Sequence, residues 1–236
     1  MKRSVLSGGQ PLEYILIQSK RKSVLMQALP EGVTKVYAPA YMRLKDIDAM
    51  VREKIPELKQ MHERLDNELR RSRLEHPVSP GSRICVEGKG LRLILEKGER
   101  ISMKIDGESC ILRLKEPENE EAVRHALKQA LSRLALRRIR EELGSYAPRI
   151  GVEFGRVAIR DQKSRWGSCS AKRNLNFNWK LIMAPPQALE YVVIHELCHL
   201  IEFNHSPRFW RLVESQMPEY ESWKKWLKTH GSELGV

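Results

Sequence analysis

Long apolar runs are absent from this 236-residue chain. No uninterrupted stretch approaches the roughly 20 apolar residues that a membrane-spanning helix needs, so no membrane partner is expected. Residues 1–9 start basic but reach glycine without the apolar segment of a secretory signal. Cysteine is scarce. The four present, Cys85, Cys110, Cys169 and Cys198, include no Cys-x-x-Cys pair, which argues against a disulfide framework or a zinc finger. They fit buried free thiols in a reducing compartment, and a cytoplasmic location is expected. An aromatic RNA-binding signature and a basic tail are also missing. Gly88-Lys89-Gly90 is too short to be a phosphate-binding loop.

Positive charge, by contrast, is plentiful. The formal net charge is +12 and the pI is near 9.7, which suits an anionic partner: a nucleotide, an acidic surface or nucleic acid. Much of that charge lies in helical segments such as Arg133–Arg140, where a merely solvated face is an equal explanation.

The pattern along the chain predicts an α+β protein. Residues 12–40 alternate as strands do, with a turn near Pro30-Glu31-Gly32. Residues 43–75 are charged and helical, interrupted near Pro56, and resemble an exposed helical arm. Four strands are expected at Ser82–Val86, Leu91–Leu95, Ile101–Ile105 and Cys110–Leu114, separated by glycines. An amphipathic helix follows over 118–147, with Pro148 beyond its end. The expected division is a β-rich part, 1–117, with a helical insertion at 43–75, and a metal-binding core, 118–236. No internal repeat is apparent.

The core carries the chemistry. Tyr191-Val-Val-Ile-His-Glu-Leu-Cys-His-Leu-Ile-Glu-Phe-Asn-His205 contains His195-Glu196-x-x-His199 within an apolar stretch. Residues four apart lie one turn apart on the same helix face, so both imidazoles can aim at one metal ion. Glu196 lies roughly 100° further round, where it cannot chelate beside them but can reach a water held on the metal. Two ligands and a general base form the working core of a zinc hydrolase.

A third ligand is at hand. Asn204 is a helix terminator, and Ser206-Pro207 reads as the N-cap and first position of a new helix. His205 falls in the turn between, where the chain can swing back over the metal. Three protein ligands with a fourth position open describe a catalytic zinc site. The spacing equals that of the metzincin motif, except that Glu202 stands where that motif has glycine. Glu202 suits either a carboxylate orienting an imidazole or a surface position.

Upstream, Arg160-Asp-Gln-Lys-Ser-Arg-Trp-Gly-Ser-Cys-Ser170 precedes Asn174–Pro186. Val157–Arg160 and Leu175–Trp179 alternate and predict two strands joined by a loop. Arg165, Trp166 and Gly167 in that loop can line a cleft and hold a developing oxyanion. They equally suit a structural connection, with Arg165 in a salt bridge and Trp166 in the core.

Lys163–Cys169, Asn178–Pro185, Tyr191–Leu200 and Asn204–Trp210, in that order, resemble the YgjP-like metallopeptidase-domain family, itself similar to the SprT and WLM zinc proteins. The resemblance implies a zincin-like core, one Zn²⁺ per chain on His195, His199 and His205, and a catalytic Glu196. It implies a peptide or protein substrate, or a nucleotide, since pyrophosphatase activity has been attributed within the family. With the resemblance beside the residues, which alone give metal-assisted hydrolysis, three readings stand. They are a zinc hydrolase cleaving peptide bonds by Glu-activated, metal-bound water with help from Arg165, a nucleoside triphosphate pyrophosphatase, and a DNA-associated protein with a structural metal site.

Overall fold

The computed structural model describes residues 1–7, 10–29, 32–75, 78–162 and 165–236. Gly8, Gly9, Pro30, Glu31, Lys163 and Ser164, which figure in the sequence reading, lie outside the described residues. The chain divides into two compact units, Met1–Glu75 and His76–Val236.

The first unit holds strands β1 (Lys2–Ser7), β2 (Gln10–Ser19), β3 (Leu25–Ala28) and β4 (Thr34–Pro39). Their order is β1-β2-β4-β3, with the central pair parallel and both outer pairs antiparallel. Tyr14, Leu16, Val36 and Ala38 point to one face by the period-2 rule. Helices α1 (Leu44–Glu53) and α2 (Ile55–Glu75) cover that face with Ile47, Val51, Ile55 and Leu58, which recur at helical spacing. Pro56 sits at the second position of α2, where its missing N–H costs nothing. The helical segment expected to be an exposed insertion is therefore part of this unit's core. β1 was not anticipated, because Val5 is the one buried residue among Lys2–Leu6 and the alternation is too faint to read.

The second unit opens with β5 (Arg83–Val86), β6 (Lys89–Lys97), β7 (Ser102–Asp106) and β8 (Ser109–Leu114), in the order β5-β6-β8-β7. Its pairing senses repeat those of the first sheet: antiparallel, parallel, antiparallel. Helix α3 (Glu120–Ile150) then supplies Val123 and Leu127 at the same spacing from Leu112 that Ile47 and Val51 keep from Val36. The two units thus share a sheet-then-helix plan, a repeat in pattern that the dissimilar side chains conceal.

The sequence boundary at 117/118 falls between β8 and α3. The structure divides at 75/76 instead, because the second sheet and α3 bury their apolar faces in one core. Asn119 caps α3 by accepting from the Ala122 N–H at 3.2 Å, and Gly151 ends it in the left-handed conformation. Pro148 lies inside the last turn rather than beyond the end; there it forfeits only one late hydrogen bond.

A second small sheet carries the site. β9 (Val157–Arg160), β10 (Gly167–Cys169) and β11 (Leu175–Asn178) lie in the order β10-β11-β9, with β10 at the edge. β10 falls where the sequence predicted only a loop. It is three residues long and made of small residues, so no alternation marks it. A 3-10 turn, Trp179–Met183, leads into α4 (Pro186–Cys198), followed by α5 (Pro207–Gln216) and α6 (Tyr220–His230). The β5–β6 hairpin braces this junction. Glu87 and Gly88 both have positive φ, as a two-residue type I′ turn requires, and their amides donate to Ile182 and Met183 carbonyls at 2.7 and 3.3 Å. No helix among the described residues is long and apolar enough to cross a membrane.

Candidate metal centre

Three imidazoles converge at the end of α4. His195 lies in its last turn, His199 is its C-cap, and His205 comes from the turn before α5. The Nε2 atoms of His199 and His205 lie 3.2 and 3.1 Å from Nε2 of His195. A tetrahedral ion with metal–nitrogen bonds of ~2.0–2.1 Å sets its ligands about 3.3 Å apart. The spacing fits such an ion. Without an ion, one ring's Nε2–H would have to donate to another's Nε2 lone pair, and Nε2 of His195 faces both of the others. Burial and the neighbouring His199 and His205 drive the His195 pKa down to about 3, and burial lowers that of His199. Both rings are thus neutral at physiological pH, as metal ligands must be.

The rings are held by packing and one hydrogen bond. His199 Nδ1–H donates to the Glu202 backbone carbonyl at 3.1 Å, which leaves Nε2 unprotonated and facing the cluster. Glu202 therefore does orient an imidazole, but through its main chain; its carboxylate lies 4.0 Å from Arg208. Ser206 caps α5 by accepting from the Phe209 N–H, and so fixes the next two aromatics. Phe209, fully buried, lies beneath all three imidazoles with ring centroids at 4.9, 4.5 and 4.9 Å from His195, His199 and His205. Trp210 stacks on His205 at 5.5 Å and on Tyr220 at 5.4 Å. The sequence reading quoted Phe209 and Trp210 without giving them a role. Their helical step from Ser206 was the available signal.

Glu196 is 4% exposed and its carboxyl lies against Gly167 of β10. Burial pushes its pKa up to about 8 in the metal-free protein; a bound cation would draw it back down by favouring the carboxylate. A cavity of about 310 Å³ has His195, Glu196, Arg165, Trp166 and Gly167 in its wall. The structure thus brings Arg165 to the same cleft as His195 and Glu196. Asn178 makes this possible. It is 3% exposed, and its Nδ2 donates to the carbonyls of Gln162 and Arg165 at 2.7 and 3.2 Å, while its own N–H donates to the Trp166 carbonyl at 2.8 Å. Cys198 is buried in the core and Cys169 partly so; neither is among the clustered ligands.

A triad of imidazoles, two from one helix and one from the following turn, beside a buried glutamate, is the donor set of a metal-dependent hydrolase. The chain belongs to the YgjP-like, metallopeptidase-domain family, which it matches over residues 22–230. It is also similar to the crystal structure of the metallopeptidase zymogen of Pyrococcus abyssi abylysin, at 25% identity and a TM-score of 0.38, over 42% of this chain and 99% of that one. No curated protein sequence matches the chain.

Proposed function

We propose that this protein is a zinc-dependent peptidase in which Glu196 acts as the general base. One observation carries the reading: three imidazole ligand atoms converge, and one of the three residues, His195, shares a cleft wall with the buried Glu196. His195, His199 and His205 would hold the metal. When bound, zinc would polarise the scissile carbonyl and lower the pKa of water toward ~7. The remaining work falls to the chain. Glu196 takes a proton from the attacking water on its carboxylate and returns it to the departing amine. Arg165, held at the cleft by Asn178, offers charge to the developing oxyanion.

The edge position of β10 favours a peptide as substrate. β11 pairs with one side of it, and an extended chain can add to the other by main-chain hydrogen bonds. Gly167, on this strand, lies in the cleft wall beside Glu196. The test is a panel of peptides and nucleoside triphosphates offered to protein reconstituted with one zinc per chain and to chelator-stripped protein. Zinc-dependent peptide cleavage is expected. Zinc-dependent release of phosphate or pyrophosphate, with no peptide cleaved, would contradict the peptidase reading.

A further inference from the structure

The cleft is positively charged beyond what zinc chemistry requires. Lys224 and Lys228 of α6 line it together with Arg165, opposite His195 and Glu196. The two lysines are one helical turn apart and so share a face, whereas Lys225, between them in sequence, is not among the lining residues. Leu227 is buried beside them and fixes which face of α6 turns inward. Among the described residues, Glu196 is the one carboxylate in the cleft wall, and no ion pair neutralises Arg165, Lys224 or Lys228. Lys224 is also held in place: its Nζ lies 3.8 Å from the centroid of Trp210, the ring that stacks on His205.

We propose that Lys224, Lys228 and Arg165 form a cationic wall that selects peptides with an acidic side chain next to the cleaved bond. This rests on the peptidase reading above. An uncompensated set of like charges lining a concave surface raises the local concentration of an anionic ligand and penalises a cationic one. A peptide extended along β10 would carry its side chains to alternate sides, so that every second one can face the wall. Nucleoside triphosphates share the negative charge. The edge strand beside Glu196 favours the peptide, and no glycine-rich phosphate cradle occurs in the chain.

The test uses the zinc-loaded full chain and three peptides identical except for Glu, Gln or Lys beside the scissile bond. Wild type should show the highest kcat/KM on the Glu peptide, with the preference shrinking as salt rises. An exposed ion pair accounts for up to about fivefold in affinity. Lys228→Gln should therefore cut the Glu-to-Gln ratio by about that factor, and Lys228→Glu should shift preference toward the Lys peptide. Zinc content, measured alongside, controls for folding. Peptide cleavage by wild type without charge preference, or a preference that both Lys228 variants retain, would overturn the wall while leaving the peptidase standing. Failure of zinc-loaded wild type to cleave any peptide would overturn the peptidase reading. Triphosphate hydrolysis that then depends on Lys228 would assign the wall to phosphate groups instead.

Discussion

Gly167 and Glu196 are in such close contact that a methyl group on Gly167 would lie 2.5 Å from Oε1 of Glu196 and 2.7 and 2.8 Å from its Cγ and Cδ. The absence of a side chain at 167 is what lets the buried carboxylate lie against β10. Gly167→Ala should therefore push Glu196 out of place without touching any metal ligand. Peptide turnover should fall about 10²-fold or more, the scale of a misplaced catalytic group, while zinc stays near one per chain. Full activity in this variant would mean that the position of Glu196 does not matter.

Phe209 supports all three imidazoles at once. Phe209→Leu keeps an apolar side chain there but removes the ring. Partners that orient metal ligands typically account for about 10–100-fold in metal affinity, and a loss in that range is expected by competition with a chromophoric chelator. His205→Ala should lose more. If His205→Ala binds zinc as wild type does, the third ligand lies elsewhere, with Glu214 and Glu219 the next candidates.

Asn178 satisfies the backbone carbonyls of Gln162 and Arg165, between β9 and β10. Asn178→Ala would deprive those part-buried carbonyls of their partner, at up to about 1–3 kcal/mol for each that stays unpaired. A lower Tm is expected together with reduced turnover, because Arg165 loses its fixed place at the cleft. A variant as stable as wild type would show that water replaces the amide.

In the first unit, Asp48 accepts from Arg3 through Nε at 3.0 Å and Nη2 at 2.5 Å, and from the Tyr14 hydroxyl at 2.5 Å. The Arg3 hydrogen bonds lower the Asp48 pKa although burial opposes them. A depressed folded-state value contributes stability that is present above the ordinary carboxylate range. That stability is lost as pH falls through that range toward the folded value. Amide protection in β1–β4, taken relative to the intrinsic exchange rate at each pH, should fall on acidification from neutral pH, and Asp48→Asn should flatten the dependence. Unchanged acid sensitivity in the variant would place the titrating group elsewhere.

These contacts mark what sequence can and cannot reveal. The His195–His199 spacing is a helical period and Ser206-Pro207 announces α5, so the imidazole cluster is written locally, although α4 ends at Cys198 with His199 as its C-cap and does not run to Asn204 as expected. The β6–β8 region was equally legible, since glycines punctuate alternating strands. Gly167, Phe209 and Asn178 were not. A missing Cβ matters only once the Glu196 carboxyl is known to lie against it, and the Asn178 amide is spent on carbonyls more than ten residues away. Nothing in the sequence separates Lys224 and Lys228 from Lys225; only the position of α6 at the cleft does.

The central claim is that Glu196 moves the proton and does not hold the metal. The direct measurement is peptide hydrolysis by Glu196→Gln at matched zinc content. The substitution keeps shape and hydrogen bonding but removes the base. Loss of a general base costs roughly 10²–10⁴-fold, so the rate should fall by that order with zinc still near one per chain. Hydrolysis at the wild-type rate with zinc retained would contradict the account, and loss of zinc would make Glu196 part of the metal's support rather than its chemistry.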